Sequence, residues 1–317
     1  MRTIALEEHF ATPKFLERNR INPPPGAANI EERLTNLGEG RIAEMDAAGI
    51  DVQVLSLTEP GAESLDPADA EAVAREANDY LLAAVERNPK RLAGFAALPT
   101  PSPQNAAREL ERLVSRHGFK GAAINGHSRG RYLDDQFFWP ILEAAEALSA
   151  PIYIHPAVPP KPVVDAYYSG FAPAVSRFFS LGGWGWHIET AVHVIRLVLS
   201  GAFDRFPKLQ VIIGHLGEGI PFMVQRMEAT MTVSVTKLER PISSYLRENV
   251  YYTLSGCNYT PSFLNLFLEM GSDRIMFSTD SPYCAMAKAL AFLNNLPISP
   301  ADKERIAHGN AERLLRM

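Results

Sequence analysis

Short apolar runs recur along the chain, separated by longer stretches whose apolar residues return every three or four positions. The runs are IALEEHF (4–10), VQVLSL (52–57), LAGFAALP (92–99), FKGAAING (119–126), PIYIHP (151–156), LQVIIGHLG (209–217), VYYTLSG (250–256) and RIMFSTDSPY (274–283). Each ends in polar residues, Gly or Pro, as strands do when their ends face a common mouth. Between them, residues 31–50, 68–89, 103–118, 137–150, 189–207 and 260–272 carry helical spacing. The closing stretch from Ser299 predicts a Ser-capped helix followed by a second short one. Apolar strands alternating with amphipathic helices indicate parallel strands covered on both faces. Eight such units predict an α/β fold, a (β/α)8 barrel, as a single domain over residues 1–317. An open doubly wound sheet with a small second domain is the competing architecture.

Two segments break the alternation. Residues 11–35 contain a Pro-Pro-Pro run and little periodicity, and residues 157–188 run through AVPPKP, YYSGF and SLGGWGWH. Both are expected to be insertion loops over the C-terminal mouth of the barrel, where binding loops sit. In the second, Trp184, Trp186 and Phe179 are candidates to line a ring pocket or to anchor the loop.

Composition narrows the function without naming it. The chain has 317 residues, 46% hydrophobic and 21% charged, which describes a globular protein with a large core. A net charge of −5 and the absence of a basic block argue against nucleic acid as a partner. Two cysteines, Cys257 and Cys284, make no disulfide framework and no CxxC pair. No signal-peptide pattern opens the chain and no apolar run reaches membrane-spanning length. A reducing cytoplasm and no membrane partner are the expectations.

Candidate chemistry collects at the strand ends. Glu7 and His9 share one face of an extended strand, a relation that Glu8 does not have with His9. His155, His215 and Asp280 end three other runs. Imidazoles and carboxylates converging on one mouth suit a divalent cation. The structural alternative for each single histidine is an ordinary hydrogen-bonded residue. His193 stands four residues after Glu189 and is expected to pair with it on a helix face. His187, in the second long segment, is an expected substrate contact. No G-x-G-x-x-G register marks a nucleotide site.

The opening LEEHF, the segment 125–156, ETAVHVIRL, GAFDRFPKLQVIIGHLGEGIPF and DRIMFSTDSPY together resemble the amidohydrolase-related metal-dependent decarboxylases. Members of that family decarboxylate γ-resorcylate, 5-carboxyvanillate and aminocarboxymuconate semialdehyde. The resemblance covers nearly the whole chain and is nearest to the γ-resorcylate and salicylate branch. It implies metal ligands at Glu7, His9, His155 and Asp280, holding one Zn2+ or Mn2+ with no organic cofactor. It implies Asp280 as proton donor, with His215 and Glu218 of GHLGEG beside the substrate. Arg226, which some relatives supply from a neighbouring subunit, and Asn125 are implied substrate contacts. The implied reaction is non-oxidative decarboxylation of an ortho-hydroxylated aromatic carboxylate by a homodimer or homotetramer. The same ligands also suit a hydrolase or hydratase acting on a lactone or unsaturated dicarboxylate. One departure concerns the substrate: after DSPY the chain continues CAMAKA, where resorcylate enzymes carry an acidic residue.

Overall fold

The computed structural model describes residues 1–19 and 29–317. Parallel pairing runs from β1 (Ile4–Phe10) through β2 (Val52–Leu57) to β3 (Leu92–Gly94). It continues from β4 (Ala96–Ala97) through β5 (Ala122–Asn125), β6 (Ile152–His155), β7 (Val211–Ile213) and β8 (Val250–Thr253) to β9 (Ile275–Met276). The two sheets are joined into one ring. β3 and β4 are a single strand interrupted at Phe95, whose N–H donates to Leu55 O at 2.9 Å while Ala96 N donates to Gly121 O at 2.9 Å. At the other seam, Asp280 N donates to Glu7 O at 3.0 Å and His9 N to Ser281 O at 2.7 Å. Eight parallel strands therefore close as a (β/α)8 barrel.

An inner layer of Ile4, Leu6, Val54, Phe95, Tyr153, Ile212 and Met276 fills the barrel, and Leu315 of the last helix packs into it from below. A larger apolar cluster lies between the strands and the surrounding helices. The helices follow the sequence pattern with shifted ends, as in Pro67–Arg87, Pro103–His117 and Thr260–Met270. Ser299 caps Pro300–Glu304 by accepting from Asp302 N at 3.1 Å. The helices Ile242–Glu248 and Met286–Asn295 were not anticipated.

Segment 157–188 is helical over much of its length rather than an irregular loop. It contains Lys161–Val163, Val164–Tyr168 and Pro173–Ser180 and then enters Gly185–Leu199. Pro162 and Pro173 sit at helix starts, where a missing N–H costs nothing, and so mark N-termini. Of the segment 11–35, Pro13–Arg18 and Ile30–Thr35 are short helices, and the proline run lies outside the described residues.

Candidate active site

Strict alternation along β1 cannot turn Leu6 and Glu7 to the same side, yet both face the barrel interior. Ala5 pairs with Gln53 and Glu8 with Leu55, so three steps on β1 match two on β2. This bulge resets the alternation. Ile4, Leu6, Glu7 and His9 point inward, while Ala5, Glu8 and Phe10 point into the wall.

Glu7, His9 and His155 bring one ligand atom each to within 4.8 Å of one another, all buried. His155 Nε2 lies 3.4 Å from Glu7 Oε1, and His9 Nε2 lies 3.3 Å from Asp280 Oδ1. The Asp280 side chain is 16% exposed and faces the mouth, with a left-handed φ of 63°. Glu7 Oε1 and both ring nitrogens of His9 are buried without a hydrogen-bond partner among the described residues. Leaving such groups bare costs on the order of 1–3 kcal/mol each. A donor set of two imidazoles and two carboxylates with bare buried atoms fits a divalent cation, with room in its preferences for zinc or manganese. Burial, followed by the neighbouring His9 and His215, holds the His155 imidazole well below its usual range, which keeps it in the neutral form that ligation needs.

Beside this cluster stands a second. His215 Nδ1 and His187 Nδ1 both donate to Glu218, at 2.7 Å to Oε1 and 2.6 Å to Oε2. His187 Nε2 stands 3.0 Å from Gly182 O, and His215 Nε2 lies 3.7 Å from Glu7 Oε1. The backbone makes this possible: His215, Leu216 and Glu218 all adopt left-handed φ, folding the exit of β7 into a tight turn. Burial opposes charge on both partners. Against it, His215 and His187 hold the Glu218 carboxyl at about 2, and the Glu218 and Glu7 charges raise His215 well above the usual imidazole range. Both shifts favour an imidazolium at His215 balanced by the Glu218 carboxylate.

Asn125 ends β5 directly beside His155 on β6, with Oδ1 buried and without a hydrogen-bond partner among the described residues. Its backbone N–H donates at 2.8 Å to Glu63, a buried carboxyl in the turn after β2. Arg226 lies on the exposed face of helix Ile220–Thr230 and makes no side-chain hydrogen bond or ion pair among the described residues. Trp186 stands with its ring 6.4 Å from that of His155. Trp184 is exposed, and Phe179 packs on Tyr168 and Phe171 away from the cluster. The expected pair of Glu189 and His193 does not form: Glu189 accepts from the Tyr132 hydroxyl and His193 Nε2 from Leu133 N at 3.0 Å. Both grip the turn after β5 instead of each other.

Two features escaped sequence reasoning. Glu8 is enclosed in the wall, accepting from Gln53 Nε2 at 2.9 Å and from Thr279 N and Oγ1 at 2.8 and 2.7 Å. Arg41 completes the network by donating to Gln53 Oε1 at 3.0 Å and to His9 O at 2.8 Å. Burial pushes the Glu8 carboxyl up to about 8, with Thr279 and Arg41 acting against it. The second feature is the Tyr153 hydroxyl, which donates to Glu7 Oε2 inside the barrel. Burial and the Glu7 charge raise that phenol well above its usual range, so it stays a donor. A lone tyrosine in an apolar run gives no sign of this contact.

A family model for amidohydrolases matches residues 10–317. The chain belongs to the amidohydrolase family. This amidohydrolase is 39% identical to a γ-resorcylate decarboxylase from a Polaromonas species, over 99% of this chain and 98% of the relative. A solved dihydroxybenzoic acid decarboxylase from Polaromonas, with bound manganese and the inhibitor 2-nitroresorcinol, superposes with a TM-score of 0.92 at 37% identity, covering 99% of this chain and 97% of that one. A 5-carboxyvanillate decarboxylase from Novosphingobium aromaticivorans, complexed with manganese and 4-hydroxy-3-methoxy-5-nitrobenzoic acid, superposes at 0.91 with 34% identity, covering 100% and 96%. The expected family and barrel are therefore those of the chain. Among the described residues no helix is long and apolar enough to cross a membrane.

Proposed function

We propose that this amidohydrolase is a metal-dependent carboxy-lyase that removes carbon dioxide from an ortho-hydroxylated aromatic carboxylate of the γ-resorcylate type. One observation supports this above the others. The bare ligand atoms of Glu7, His9 and His155, with Asp280 at their rim, occupy the mouth of a chain that matches γ-resorcylate decarboxylases end to end.

Glu7, His9, His155 and Asp280 would hold one divalent ion, with manganese, bound in the solved relatives, favoured over zinc. Bound there, the ion supplies a Lewis acid that draws the carboxylate and ortho oxygen into register. The protein's own groups do the rest. Asp280, the most exposed carboxyl of the cluster, takes up the proton that the ortho hydroxyl gives up as the substrate binds, and passes it to the ring carbon that bears the carboxylate. The ring loses aromaticity, and the electron pair of the carbon–carbon bond returns to it as carbon dioxide departs. His215, kept protonated by Glu218, places a positive charge beside the developing negative charge. His187 fixes Glu218 from the other side. Asn125 offers Oδ1 to a ring hydroxyl, Trp186 bounds the ring, and Arg226 binds a remote oxygen.

Arg226 shares its helix with Phe222, and Leu268 lies on the adjoining helix Thr260–Met270; both apolar side chains are 80% exposed. That surface supports a homodimer or homotetramer in which Arg226 serves a neighbouring subunit's site, a state that sedimentation measures directly.

The deciding experiment incubates manganese- or zinc-loaded protein with 2,6-dihydroxybenzoate, 2,3-dihydroxybenzoate, salicylate and 5-carboxyvanillate, beside a chelated control. Metal-dependent release of carbon dioxide with the matching phenol is expected. A fully metallated protein silent on the whole panel refutes this reading and turns attention to lactones and unsaturated dicarboxylates.

A further inference from the structure

Glu7 is restrained through only one of its oxygens. Its Oε2 accepts from the Tyr153 hydroxyl and, at 3.4 Å, from Thr253 Oγ1, and those two hydroxyls lie 2.9 Å apart. Gly214 completes the cradle, because a Cβ there would stand 2.4 Å from the same Oε2. Oε1 has no hydrogen-bond partner among the described residues and faces His155 and His215. The three supports come from β6, β8 and the exit of β7, so they reach Glu7 across the lumen from strands that do not pair with β1. Tyr153 lies two residues before His155 on the same face of β6, so its ring belongs to the layer beneath the site.

We infer that Tyr153, backed by Thr253, is a positioning residue that fixes Glu7 as a one-oxygen metal ligand. A carboxylate free to rotate would offer both oxygens and spend a coordination position on itself. Holding Oε2 in the layer below keeps that position for the substrate's paired oxygens. Outer partners of this kind commonly govern metal affinity by about 10–100-fold. The inference rests on Glu7 being a ligand and is independent of which reaction follows.

The test measures metal affinity without turnover. Manganese binding by wild type, Tyr153→Phe, Thr253→Val and Thr253→Ser is determined by chelator competition, with thermal midpoints of the metal-free proteins alongside. Tyr153→Phe is expected to weaken binding by about 10–100-fold. Thr253→Val should weaken it several-fold, with recovery in Thr253→Ser. The electron paramagnetic resonance spectrum of bound manganese should change in Tyr153→Phe, as the Glu7 carboxylate turns. Lower midpoints with wild-type affinity and an unchanged spectrum would show a packing role alone and overturn the inference. Should Tyr153→Phe fail to fold, the Thr253 pair decides, since valine with wild-type affinity overturns it equally. Loss of affinity in a protein that decarboxylates nothing on the substrate panel would leave this inference standing and sink only the proposed reaction.

Discussion

Glu7 and Glu8 are neighbours in sequence and opposites in circumstance. Both are glutamates on one strand, and both are buried. Glu8, in the wall, has both oxygens engaged by Gln53 and Thr279 and is linked through Gln53 to Arg41. Glu7, in the lumen, has one oxygen engaged and one bare among the described residues. A satisfied buried carboxyl group holds a fold together. An unsatisfied one is tolerated where something else will use it. On the proposed reading the two faces of β1 divide between architecture and chemistry, and the bulge before Glu8 is what separates them.

The sharpest way to break that division is to exchange the two losses. Glu7→Gln should abolish stoichiometric metal binding and reduce turnover to background, while the chelated protein unfolds no earlier than wild type. Glu8→Ala should instead lower the stability of the chelated protein by about 3 kcal/mol, because Gln53 Nε2 and both Thr279 donors lose their buried acceptor. Metal analysis and denaturant unfolding check both. A well-folded Glu8→Ala protein that has lost its metal would end the distinction.

Within the lumen, Asp280→Asn should cut kcat by about 10²–10⁴-fold, as expected for a lost general acid, with substrate affinity nearly unchanged. Equilibrium binding and single-turnover rates separate the two quantities. Retained full activity would remove Asp280 from the chemistry and leave it, like Glu8, in the architecture.

A smaller effect comes from the turn after β5. Burial, with His127 and Arg196 nearby, depresses the buried His193 imidazole to about 3. The unfolded chain therefore takes up a proton below pH 6.5 that the native protein refuses until about pH 3. Stability from this group is complete above pH 6.5 and falls by up to about 1.4 kcal/mol per pH unit as the pH drops through that window. Unfolding curves at pH 7, 6 and 5 should show this slope in wild type and a shallower one in His193→Gln. Equal slopes would mean that the proton is taken elsewhere.

The barrel was legible because its signal is periodic: eight apolar runs, each followed by a helical stretch, leave few other architectures. That Glu7, His9, His155, His215 and Asp280 would come together was legible because strand ends meet at one mouth whatever the register between them; their division into ligands and neighbours came from the family resemblance. What stayed hidden depends on local departures from period. The bulge that lets Leu6 and Glu7 share a face leaves no mark in IALEEHF, where plain alternation would put them on opposite sides. The partners of Glu8 lie 45 and 271 residues away, beyond any pattern that spacing can carry. The glycines and aromatics of 157–188 suggested a loop, because residue type alone does not show that short helices run between the glycines.

The barrel's seam carries one more consequence. The last hydrogen bonds that shut the ring join Asp280 to Glu7 and His9 to Ser281. Three of the four residues that close the circle are candidate ligands of one ion. Such an ion would act as a clasp at the joint, so occupancy and closure would rise and fall together. Metal-loaded protein should exchange the amide protons of His9 and Asp280 more slowly and melt at a higher temperature, by an increment set by free metal over its dissociation constant. The place where this enzyme would do its chemistry is also where its chain is fastened.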